Sequence, residues 1–256
     1  MFMKRKEKAR ILSQEWLSPG IYSMWVETGM AEEAAPGQFV SLYSADGSRL
    51  LPRPISLCEI EEGRIRLVYR VAGAGTEEFS SRKAGDTIEV LGPLGNGFPL
   101  KEAEGKKAFL IGGGIGVPPM LELAKRLSGE TVLVMGYRDR QMFLKKELEE
   151  SGPLFVATED GSFGTKGNVL DAIRENSLSA DVIFACGPAP MLRAVKVYAR
   201  QQKIPAWISM EERMACGIGA CLGCVCESGE VDGHSHVKNK RICKDGPVFL
   251  AEEVEL

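Results

Sequence analysis

The pattern of apolar and polar positions differs between the first and the second part of the chain. Up to about Leu91, short alternating segments are separated by Gly and Pro. In one of them, Arg66 and Arg70 lie on one face and the opposite face is apolar, with Ile65, Leu67, Tyr69 and Val71. This period of two is typical of a half-buried antiparallel strand. Five such segments are predicted strands: 21–27, 38–43, 54–60, 65–71 and 87–91. With about six strands in all, this part is predicted to form a six-stranded antiparallel barrel.

In the second part of the chain, short apolar runs alternate with amphipathic stretches. The runs at 107–111, 131–136, 154–158, 181–186 and 206–210 are predicted strands. The predicted helices between them place apolar side chains at helical spacing, namely Phe143, Leu144 and Leu148 in a helix over 140–150, and Leu192, Val195 and Val197 in a helix over 191–202. Strict alternation of strand and helix predicts an α/β domain with a five-stranded parallel sheet covered on both faces.

The composition changes at two places. The segment 92–99 is too rich in Gly and Pro to continue a strand or a helix, and the last 46 residues, from Glu211, show little periodicity. We therefore predict three units, a barrel over 1–100, an α/β domain over 101–210 and a small C-terminal region over 211–256. The third unit is predicted to be ordered by something other than a large apolar core.

The charge balance excludes several classes of partner. The chain has 32 Lys and Arg against 35 Asp and Glu, a net charge of -3, so no overall basic field attracts nucleic acid or an anionic membrane. No apolar run reaches the roughly 18 residues of a membrane helix, and the basic start between Lys4 and Arg10 is not followed by the apolar stretch of a signal peptide. We expect neither nucleic acid nor a membrane span.

Cysteines are concentrated in the C-terminal region. Five of the seven lie in the last 41 residues, which favours ligands over a disulfide framework and the reducing cytoplasm over secretion. The spacing Cys216-x4-Cys221-x2-Cys224, followed by Cys243, is the plant-type pattern of a [2Fe–2S] cluster. The residues between the first three cysteines are small or apolar, so backbone N–H groups can approach the cluster sulfurs while water is kept away.

The same cysteines permit a second interpretation, a zinc site completed by His234 or His236. Zinc ribbons usually contain two Cys-x2-Cys knuckles and this chain has one, so the iron–sulfur interpretation is favoured. Cys226 is predicted to point away from the ligands. The two histidines, isolated in a loop, are predicted to face solvent.

A group of residues in the predicted barrel suits a cofactor that carries a pyrophosphate. A guanidinium and an oriented hydroxyl would hold the pyrophosphate and a ring nitrogen. The residues are Arg53, Pro54, Ile55 and Ser56 at a strand start, Tyr69, Arg70 and Val71 in the next strand, and Gly75 and Thr76 in the loop that follows. The alternative for Arg53 alone is an exposed side chain at the start of a strand.

A glycine-rich loop opens the α/β domain. It follows a predicted strand and precedes Pro118, which suits a first helical turn, so bare backbone can approach a pyrophosphate at a helix N-terminus. Its glycines are Gly112, Gly113, Gly114 and Gly116. Val117 stands where the dinucleotide fingerprint requires glycine, and a simple tight turn is the alternative. The fourth parallel strand ends, where open sheets place ligands, in Cys186, Gly187 and Pro188.

The order of these motifs resembles the ferredoxin-NADP reductase superfamily from residue 11 to about 210. The motifs are Arg-x-x-Ser from Arg53, Gly-x-Gly-Thr from Gly73, Gly-Gly-Gly-x-Gly-x-x-Pro from Gly112 and Cys-Gly-Pro-x-x-Met from Cys186. The cysteine tail, from Met214 to Phe249, is similar to that of the electron-transfer subunits of class 1B dihydroorotate dehydrogenases. The 18 residues between Cys224 and Cys243 form a longer gap than this family leads one to expect.

The resemblance implies three cofactors. FAD would be bound by residues 53–56, 69–71, 75 and 76, with Ser56 near the isoalloxazine and Thr76 near the pyrophosphate. NAD would be received by residues 112–116 and 186–188, and the [2Fe–2S] cluster by the four cysteines. A flavin links the hydride chemistry of NAD to a centre that takes electrons singly.

The chain offers no acid–base pair for oxidising a carbon substrate, so no catalytic residue is assigned. The resemblance implies that a separate FMN-containing dihydroorotate dehydrogenase catalytic subunit oxidises dihydroorotate, and that electrons pass through [2Fe–2S] and FAD to NAD+. It also implies a heterotetramer of two subunits of each kind. Charge leaves the choice of nucleotide open, because Asp139 favours NAD whereas Arg138 and Arg140 favour a 2′-phosphate; the resemblance implies NAD.

Two other functions stay open on the sequence. A FAD and [2Fe–2S] subunit of a ferredoxin:NADP+ oxidoreductase or sulfide dehydrogenase would have the same fold and cofactors. A zinc-stabilised nucleotide-binding regulatory protein would keep the glycine loop and use the cysteines structurally. A visible absorption spectrum separates the last from the others, because flavin and iron–sulfur centres absorb visible light and a zinc site does not.

Overall fold

The computed structural model describes residues 4–231, 233 and 236–256. Its first part is a closed barrel of six antiparallel strands in the order β1-β2-β5-β4-β3-β6. The elements are β1 Arg5–Ser18, β2 Ile21–Glu27, β3 Phe39–Tyr43, β4 Arg53–Glu61, β5 Arg64–Arg70, helix α1 Ala74–Ser80 and β6 Thr87–Leu94. Apolar side chains from alternate strand positions fill the barrel, among them Met24, Leu67 and Val90. The predicted six-stranded barrel is confirmed.

The second part is a seven-stranded sheet in the order β10-β9-β8-β7-β11-β12-β15. In chain order its elements are β7 Ala108–Gly113, α2 Pro118–Arg126, β8 Thr131–Tyr137, α3 Lys145–Ser151, β9 Leu154–Thr158, β10 Thr165–Lys166, α4 Val169–Glu175, β11 Val182–Cys186, α5 Ala189–Gln202, β12 Ala206–Ser209 and, from the C-terminal region, β15 Val248–Leu250. The five predicted parallel strands are present. Two short strands extend them, β10 in parallel and β15 antiparallel.

Helices cover both faces of this sheet, as the alternation of elements predicts. Side chains of α4 and α5 share one apolar core with Phe109 and Ile111, and side chains of α2 and α3 share another with Leu110 and Leu133. Among the residues that the structure describes, no helix has both the length and the apolar character to cross a membrane.

The C-terminal region adds a two-stranded hairpin, β13 Val225–Glu227 with β14 Asn239–Arg241, before β15. Its buried side chains Ile242, Phe249 and Val254 belong to the same apolar core as α4 and α5. The prediction that something other than a large apolar core orders this region is therefore incomplete. Its apolar residues are too scattered along the chain to show a period, but they complete a core that the sheet supplies.

Charged side chains join the barrel to the α/β domain. Glu59 and Arg66, on adjacent barrel strands, are each more than nine-tenths buried and form an ion pair at 2.5 Å. Lys125 of α2 also pairs with Glu59, and the buried carboxylate of Glu122 accepts a hydrogen bond from the Ile60 N–H at 2.9 Å. Burial alone would raise the pKa of Glu59, but Lys125 and Arg66 outweigh it and hold this pKa below its ordinary value. These contacts fix α2, which starts at the glycine loop, against the barrel.

Three local predictions are corrected by the structure. Helix α3 begins at Lys145 rather than at 140, because Leu144 adopts a left-handed backbone (φ 62°) and reaches the core from outside the helix. In α5, Val197 is 55% exposed because it lies two positions, about 200° around the helix, from the buried Val195. The segment 92–99 does not interrupt the barrel at its start, because β6 continues to Leu94 and pairs there with β3.

Candidate functional site

One cavity of about 650 Å³ lies where the barrel, the α/β domain and the C-terminal region meet. It is lined by most of the residues predicted to bind nucleotide cofactors: Arg53, Pro54, Ile55, Ser56, Tyr69, Arg70, Thr76, Gly114, Gly116, Cys186, Gly187 and Pro188. Four predicted residues are not part of the lining: Val71, Gly75 and Gly113 directly adjoin members of this set in sequence, and Gly112 lies two positions before Gly114. The structure thus brings two separate sequence motifs to a single cavity.

Gly75 makes room for the Arg53 side chain. Gly75 and Thr76, predicted in a loop, lie in the first turn of α1. A Cβ atom on Gly75 would collide with the Arg53 guanidinium, which therefore rests on this turn. The Thr76 hydroxyl oxygen accepts hydrogen bonds from the N–H groups of Ala72 at 2.9 Å and Gly73 at 3.2 Å, and so stabilises the helix start. A helix start cleared of a side chain at Gly75 beside a guanidinium suits a pyrophosphate.

Tyr69 and Ser56 offer different groups to the cavity. The Tyr69 side chain is 1% exposed, its ring stacks on Tyr22 with centroids 6.1 Å apart, and its hydroxyl accepts a hydrogen bond from the Gln14 amide at 2.7 Å. Burial raises the pKa of Tyr69 to about 12. The Tyr69 hydroxyl is thus committed to the barrel interior, whereas Ser56 is half-buried and lines the cavity.

The glycine loop packs directly against the end of β11. A Cβ atom on Gly116 would collide with the backbone of Cys186 and Gly187, so glycine is required there for the two loops to touch. Val117, the departure from the dinucleotide fingerprint, is fully buried, and α2 starts immediately after it at Pro118. The larger residue therefore occupies a packed position rather than a place where a ligand approaches.

Arg70 spans the two motifs. On β5, its guanidinium nitrogen lies 3.6 Å from the position that a Cβ atom of Gly114 would take, and Gly114 has a positive φ of 54°. A positive charge carried by the barrel therefore reaches the glycine loop of the α/β domain. Together with Arg53, it gives the cavity two guanidinium groups that complement the pyrophosphates of dinucleotides.

The four predicted cluster ligands come together in two pairs. Cys216 is in hydrogen-bonding contact with Cys221, and Cys224 with Cys243. Among residues 4–231, 233 and 236–256, no three His, Cys, Asp or Glu side chains surround one metal-ion position. A zinc site requires its ligands around one ion, whereas a [2Fe–2S] cluster distributes four thiolates over two irons. The paired arrangement fits the cluster.

Hydrogen bonds lower the pKa of one thiol in each pair, Cys216 and Cys224. Burial opposes ionisation of Cys216, but the N–H groups of Ile218 at 3.4 Å and Ala220 at 3.3 Å, together with Cys221, lower its pKa to about 7. A hydrogen bond from the Cys243 thiol is the main reason that the pKa of Cys224 falls to about 6, and that of Cys243 rises in return. Thiolate is the form that binds metal, so the donor set suits iron.

The hairpin β13–β14 accounts for the long gap before the fourth cysteine. It turns the chain back so that the Ile242 N–H donates to the Cys224 carbonyl at 2.9 Å and the Cys243 N–H donates to the Cys224 sulfur at 3.4 Å. Cys226 lies within the hairpin, where its thiol donates to the Lys240 carbonyl at 3.6 Å. His236 is exposed as predicted, and His234 lies outside the described residues.

Two side chains tie the cysteine loop to its surroundings. Arg241 is 4% exposed, donates to the carbonyl of Gly219 between the first two cysteines at 3.1 Å, and pairs with Asp245 at 3.1 Å. Asn96 donates its side-chain amide to the carbonyls of Asp245 and Val248 and accepts a hydrogen bond from the Val248 N–H, each at 3.1 Å. The Gly/Pro segment after β6, predicted only as a boundary, therefore holds the residues that follow the fourth cysteine.

We expect Asn96→Ala to release the cluster about five-fold faster than the wild-type protein, because losing even about 1 kcal/mol of net hydrogen bonding shifts an opening equilibrium by that factor. Bleaching of the visible iron–sulfur absorption in the presence of a chelator measures the rate. Asn176→Ala is the matched control, because the Asn176 amide donates to the Ala172 carbonyl at 2.9 Å, within its own helix end. Equal rates in both variants would show that Asn96 does not hold the region.

Several residues of the site were not identified from the sequence. Phe39 and Met214 line the cavity and belong to the apolar core that contains Cys224 and Cys243, yet Phe39 lies in no motif and Met214, the first residue of the cysteine tail, was not predicted to line a cofactor site. Asn96 and Arg241 act through contacts that are distant in sequence. The segment 210–214 did carry a signal, because it follows the end of a predicted parallel strand, where open sheets gather their ligands.

Comparison with known families assigns two parts of the chain. A family model described as "Oxidoreductase NAD-binding domain" matches residues 110–197. Another, described as "Iron-sulfur cluster binding domain of dihydroorotate dehydrogenase B", matches residues 211–255. The second match agrees with the paired thiols and favours iron over zinc.

Solved structures share the architecture. An NADH-dependent reduced ferredoxin-NADP oxidoreductase, studied for flavin-based electron bifurcation, has a TM-score of 0.86 at 30% identity and covers 96% of this chain and 89% of its own. A ferredoxin NADP+ reductase from Neisseria gonorrhoeae, solved with FAD and NADP, has a TM-score of 0.65 at 17% identity over 82% of this chain and 95% of its own. The latter similarity shows the fold alone.

Two curated relatives match this chain over 99% or more of their own lengths. A protein of Geobacillus sp. (strain WCH70) is 44% identical over 263 residues, 99% of this chain and 100% of the relative. A protein of Bacillus caldolyticus is 45% identical over 260 residues, 98% and 99% of the two chains. Both are named "Dihydroorotate dehydrogenase B (NAD(+)), electron transfer subunit". With this identity over the full length and the cysteine region matched, the chain belongs to the family of dihydroorotate dehydrogenase B electron transfer subunits.

Proposed function

We propose that this chain passes electrons from an FMN-containing dihydroorotate dehydrogenase catalytic subunit to NAD+ in pyrimidine biosynthesis, with [2Fe–2S] and FAD as carriers. The observation that carries the proposal is the shared cavity, which both nucleotide motifs line. Its wall includes Phe39 and Met214, which pack in the same apolar core as Cys224 and Cys243. The proposed flavin and cluster sites are therefore joined by continuous packing.

The three units and their residues take these roles in the proposal. The barrel, 1–100, holds FAD, the α/β domain, 101–210, receives NAD, and the region 211–256 holds the cluster. FAD contacts come from Arg53, Pro54, Ile55, Ser56, Tyr69, Arg70, Val71, Gly75 and Thr76, NAD contacts from Gly112, Gly113, Gly114, Gly116, Cys186, Gly187 and Pro188, and iron ligands from Cys216, Cys221, Cys224 and Cys243. FAD, when bound, supplies the exchange between two-electron hydride chemistry and single electrons.

The chain's own groups bind and orient rather than transfer protons. Arg53 and Arg70 supply fixed positive charge, and the glycine loop keeps side chains away from the phosphates. Burial raises the pKa of the Cys186 thiol to about 12, so the end of β11 presents a neutral group at physiological pH. Oxidation of dihydroorotate releases two electrons and two protons, and NAD+ takes up two electrons and one proton. We assign the proton chemistry at the dihydroorotate carbons to the partner subunit.

We expect this chain to reduce an artificial acceptor with NADH at a kcat/KM at least about ten-fold above that with NADPH, about 1.4 kcal/mol of transition-state discrimination. One carboxylate oxygen of Asp139, just beyond β8, accepts the Gln141 N–H at 2.8 Å, which holds its negative charge in a turn. Arg138 and Arg140 are exposed. Asp139→Asn should lower the ratio of kcat/KM with NADH to kcat/KM with NADPH. The control is Asp160→Asn, because Asp160 is a similar turn carboxylate that accepts the Ser162 N–H, and it should leave this ratio unchanged. A ten-fold preference for NADPH would contradict the nucleotide assignment.

The partner is tested by purification from the native host under anaerobic conditions, with identification of the chains that accompany this one. We expect an FMN-containing dihydroorotate dehydrogenase in equal amount, a mass that fits two subunits of each, and reduction of NAD+ by dihydroorotate. A cytoplasmic fraction is the expected source, since the paired thiols require reducing conditions. Recovery with a different dehydrogenase, or without any partner, would contradict the proposal.

A second function has one specific observation in its favour. The ferredoxin-NADP oxidoreductase structure resembles this chain over nearly its entire length. Its identity of 30% is well below the 44% and 45% of the dihydroorotate dehydrogenase relatives, which favours the first proposal. Rapid reduction of NADP+ by reduced ferredoxin, with no response to dihydroorotate in the native complex, would favour the second.

A further inference from the structure

Ser41 carries a buried hydroxyl that makes no hydrogen bond to any described residue. It lies on β3 between Val40 and Leu42, which point into the barrel core, so its own side chain points outward. The residue is nevertheless 0% exposed, and its hydroxyl oxygen has no hydrogen-bond partner among the residues described. A buried hydroxyl without a partner is destabilising, so native structures normally supply one. A group that binds the protein at this position would do so.

The cysteine loop covers Ser41. A Cβ atom on Gly217 would lie 3.1 Å from the Ser41 hydroxyl oxygen and 3.3 Å from a methyl carbon of Leu94. Gly217 has a positive φ of 70° and directly follows Cys216, so the loop turns there without a side chain between Ser41 and the first cysteine. The hydroxyl therefore faces the start of the cluster-binding loop, with the apolar Leu94 at its side.

The loop already directs hydrogen-bond donors to the Cys216 sulfur. The N–H groups of Ile218 and Ala220 both point to it from the loop itself. Ser41 approaches the same turn from the barrel, with its hydroxyl oxygen 3.1 Å from the position that a Gly217 Cβ atom would take. A hydroxyl is both donor and acceptor, but the sulfurs of a cluster are anionic acceptors, so donation is the favourable direction.

Ser41 also lies beside the proposed flavin motif. Across the β3–β4 pairing it stands opposite Pro54, while Leu42 stands opposite Arg53 and Phe39 opposite Ser56. Strand β3 thus lies between the strand that carries the flavin motif and the loop that carries the first iron ligand. A polar group at this junction is placed to act on the cluster from the flavin side.

We propose that the Ser41 hydroxyl donates a hydrogen bond to an anionic sulfur of the [2Fe–2S] cluster, at the Cys216 thiolate or the adjacent inorganic sulfide, and thereby raises the reduction potential of the cluster. The inference rests on the proposed function only in requiring that the cysteines hold this cluster. The reduced cluster carries one more negative charge than the oxidised one, so a hydrogen-bond donor stabilises the reduced state more. Ser41 is a tuning residue of the barrel, and it is not an iron ligand.

The test compares the purified wild-type protein with Ser41→Ala, Ser41→Thr and Ser23→Ala. Ser23 is the matched control, since its hydroxyl is also buried in the barrel but accepts a hydrogen bond from Arg66 at 2.8 Å. The midpoint potential of the cluster is measured by titration followed by electron paramagnetic resonance. Resonance Raman spectra in H₂O and D₂O report whether a hydrogen bond to cluster sulfur is present, independently of enzyme activity.

We expect Ser41→Ala to lower the equilibrium constant for one-electron reduction about ten-fold, which is about 59 mV toward more negative potential. The D₂O-sensitive shift of the Fe–S bands should shrink with it. Ser41→Thr keeps the hydroxyl and should restore both, and Ser23→Ala should change neither. A cluster of unchanged potential and unchanged deuterium sensitivity in Ser41→Ala overturns the inference while leaving the proposed function intact. A wild-type protein without iron and sulfide would overturn both.

Discussion

Replacing Cys216, Cys221, Cys224 or Cys243 by serine is expected to remove the iron–sulfur absorption, whereas Cys226→Ser is expected to retain it. Each of the first four thiols belongs to one of two contacting pairs, and a serine hydroxyl does not ionise at neutral pH to replace a thiolate. The Cys226 thiol is turned to the Lys240 carbonyl within the hairpin. Burial raises its pKa, which also disfavours a ligand role.

These five serine variants are compared by iron and acid-labile sulfide per chain after anaerobic purification. Flavin content is the internal control, because the proposed FAD residues lie in the barrel and should bind FAD in all five variants. Loss of the cluster from Cys226→Ser together with its retention in Cys243→Ser would falsify the ligand set. It would also mean that the hairpin does not bring the third and fourth ligands together.

Arg53→Ala is expected to weaken FAD binding roughly ten-fold to hundred-fold, because a charged hydrogen bond to phosphate contributes about 1.5 to 3 kcal/mol. Arg53 rests against Gly75, and no side chain separates it from the loop that begins α1. The measurement is the ratio of FAD to protein after dialysis, followed by fluorescence titration of the apoprotein. Arg53→Lys should recover part of the affinity, because an ammonium keeps the charge but not the planar fork of donors.

Arg64→Ala is the matched control for Arg53→Ala. Arg64 is an exposed barrel arginine that pairs with Glu61, so its removal should leave FAD affinity unchanged. Iron content should be unchanged in both variants, since neither residue touches the cysteine loop. FAD occupancy in Arg53→Ala that equals the control after dialysis would remove Arg53 from the flavin site.

Local patterns were sufficient to predict most of the fold. The parallel strands are continuous apolar runs, so their burial on both faces can be read from a few residues. The prediction of a half-buried strand is wrong for β5, which is buried on both faces. Its outer face packs against the α/β domain, where Val68 joins an apolar core and Arg66 pairs with Glu59. The prediction of a helix over 140–150 is wrong at its start. Phe143, Leu144 and Leu148 have helical spacing, but Leu144 has a left-handed backbone and α3 begins only after it, at Lys145. Val197 shows the same limit, since spacing alone does not fix which stripe of a helix faces the core.

The site was predictable where function depends on consecutive residues. The glycine loop, the Arg53 motif and the cysteine spacing each reveal a chemistry, and the structure places them at one cavity or in contacting pairs. Contacts between distant parts of the chain were not predictable. Asn96 reaches Val248 across 152 positions, and Ser41 meets a loop that begins at Cys216. Neither the periodicity nor the residue spacing of a single sequence predicts contacts between residues so far apart in the chain.

The antiparallel strand β15 has a consequence for how the protein is assembled in the cell. It pairs with β12 and so closes one edge of the large sheet, with Trp207 opposite Leu250 and Ile208 opposite Phe249. If the C-terminal region were unfolded, β12 would present unpaired backbone groups and apolar side chains, the type of edge on which chains join into aggregates. Folding of this region therefore protects the large sheet from pairing with other chains, in addition to bringing the four cysteines together.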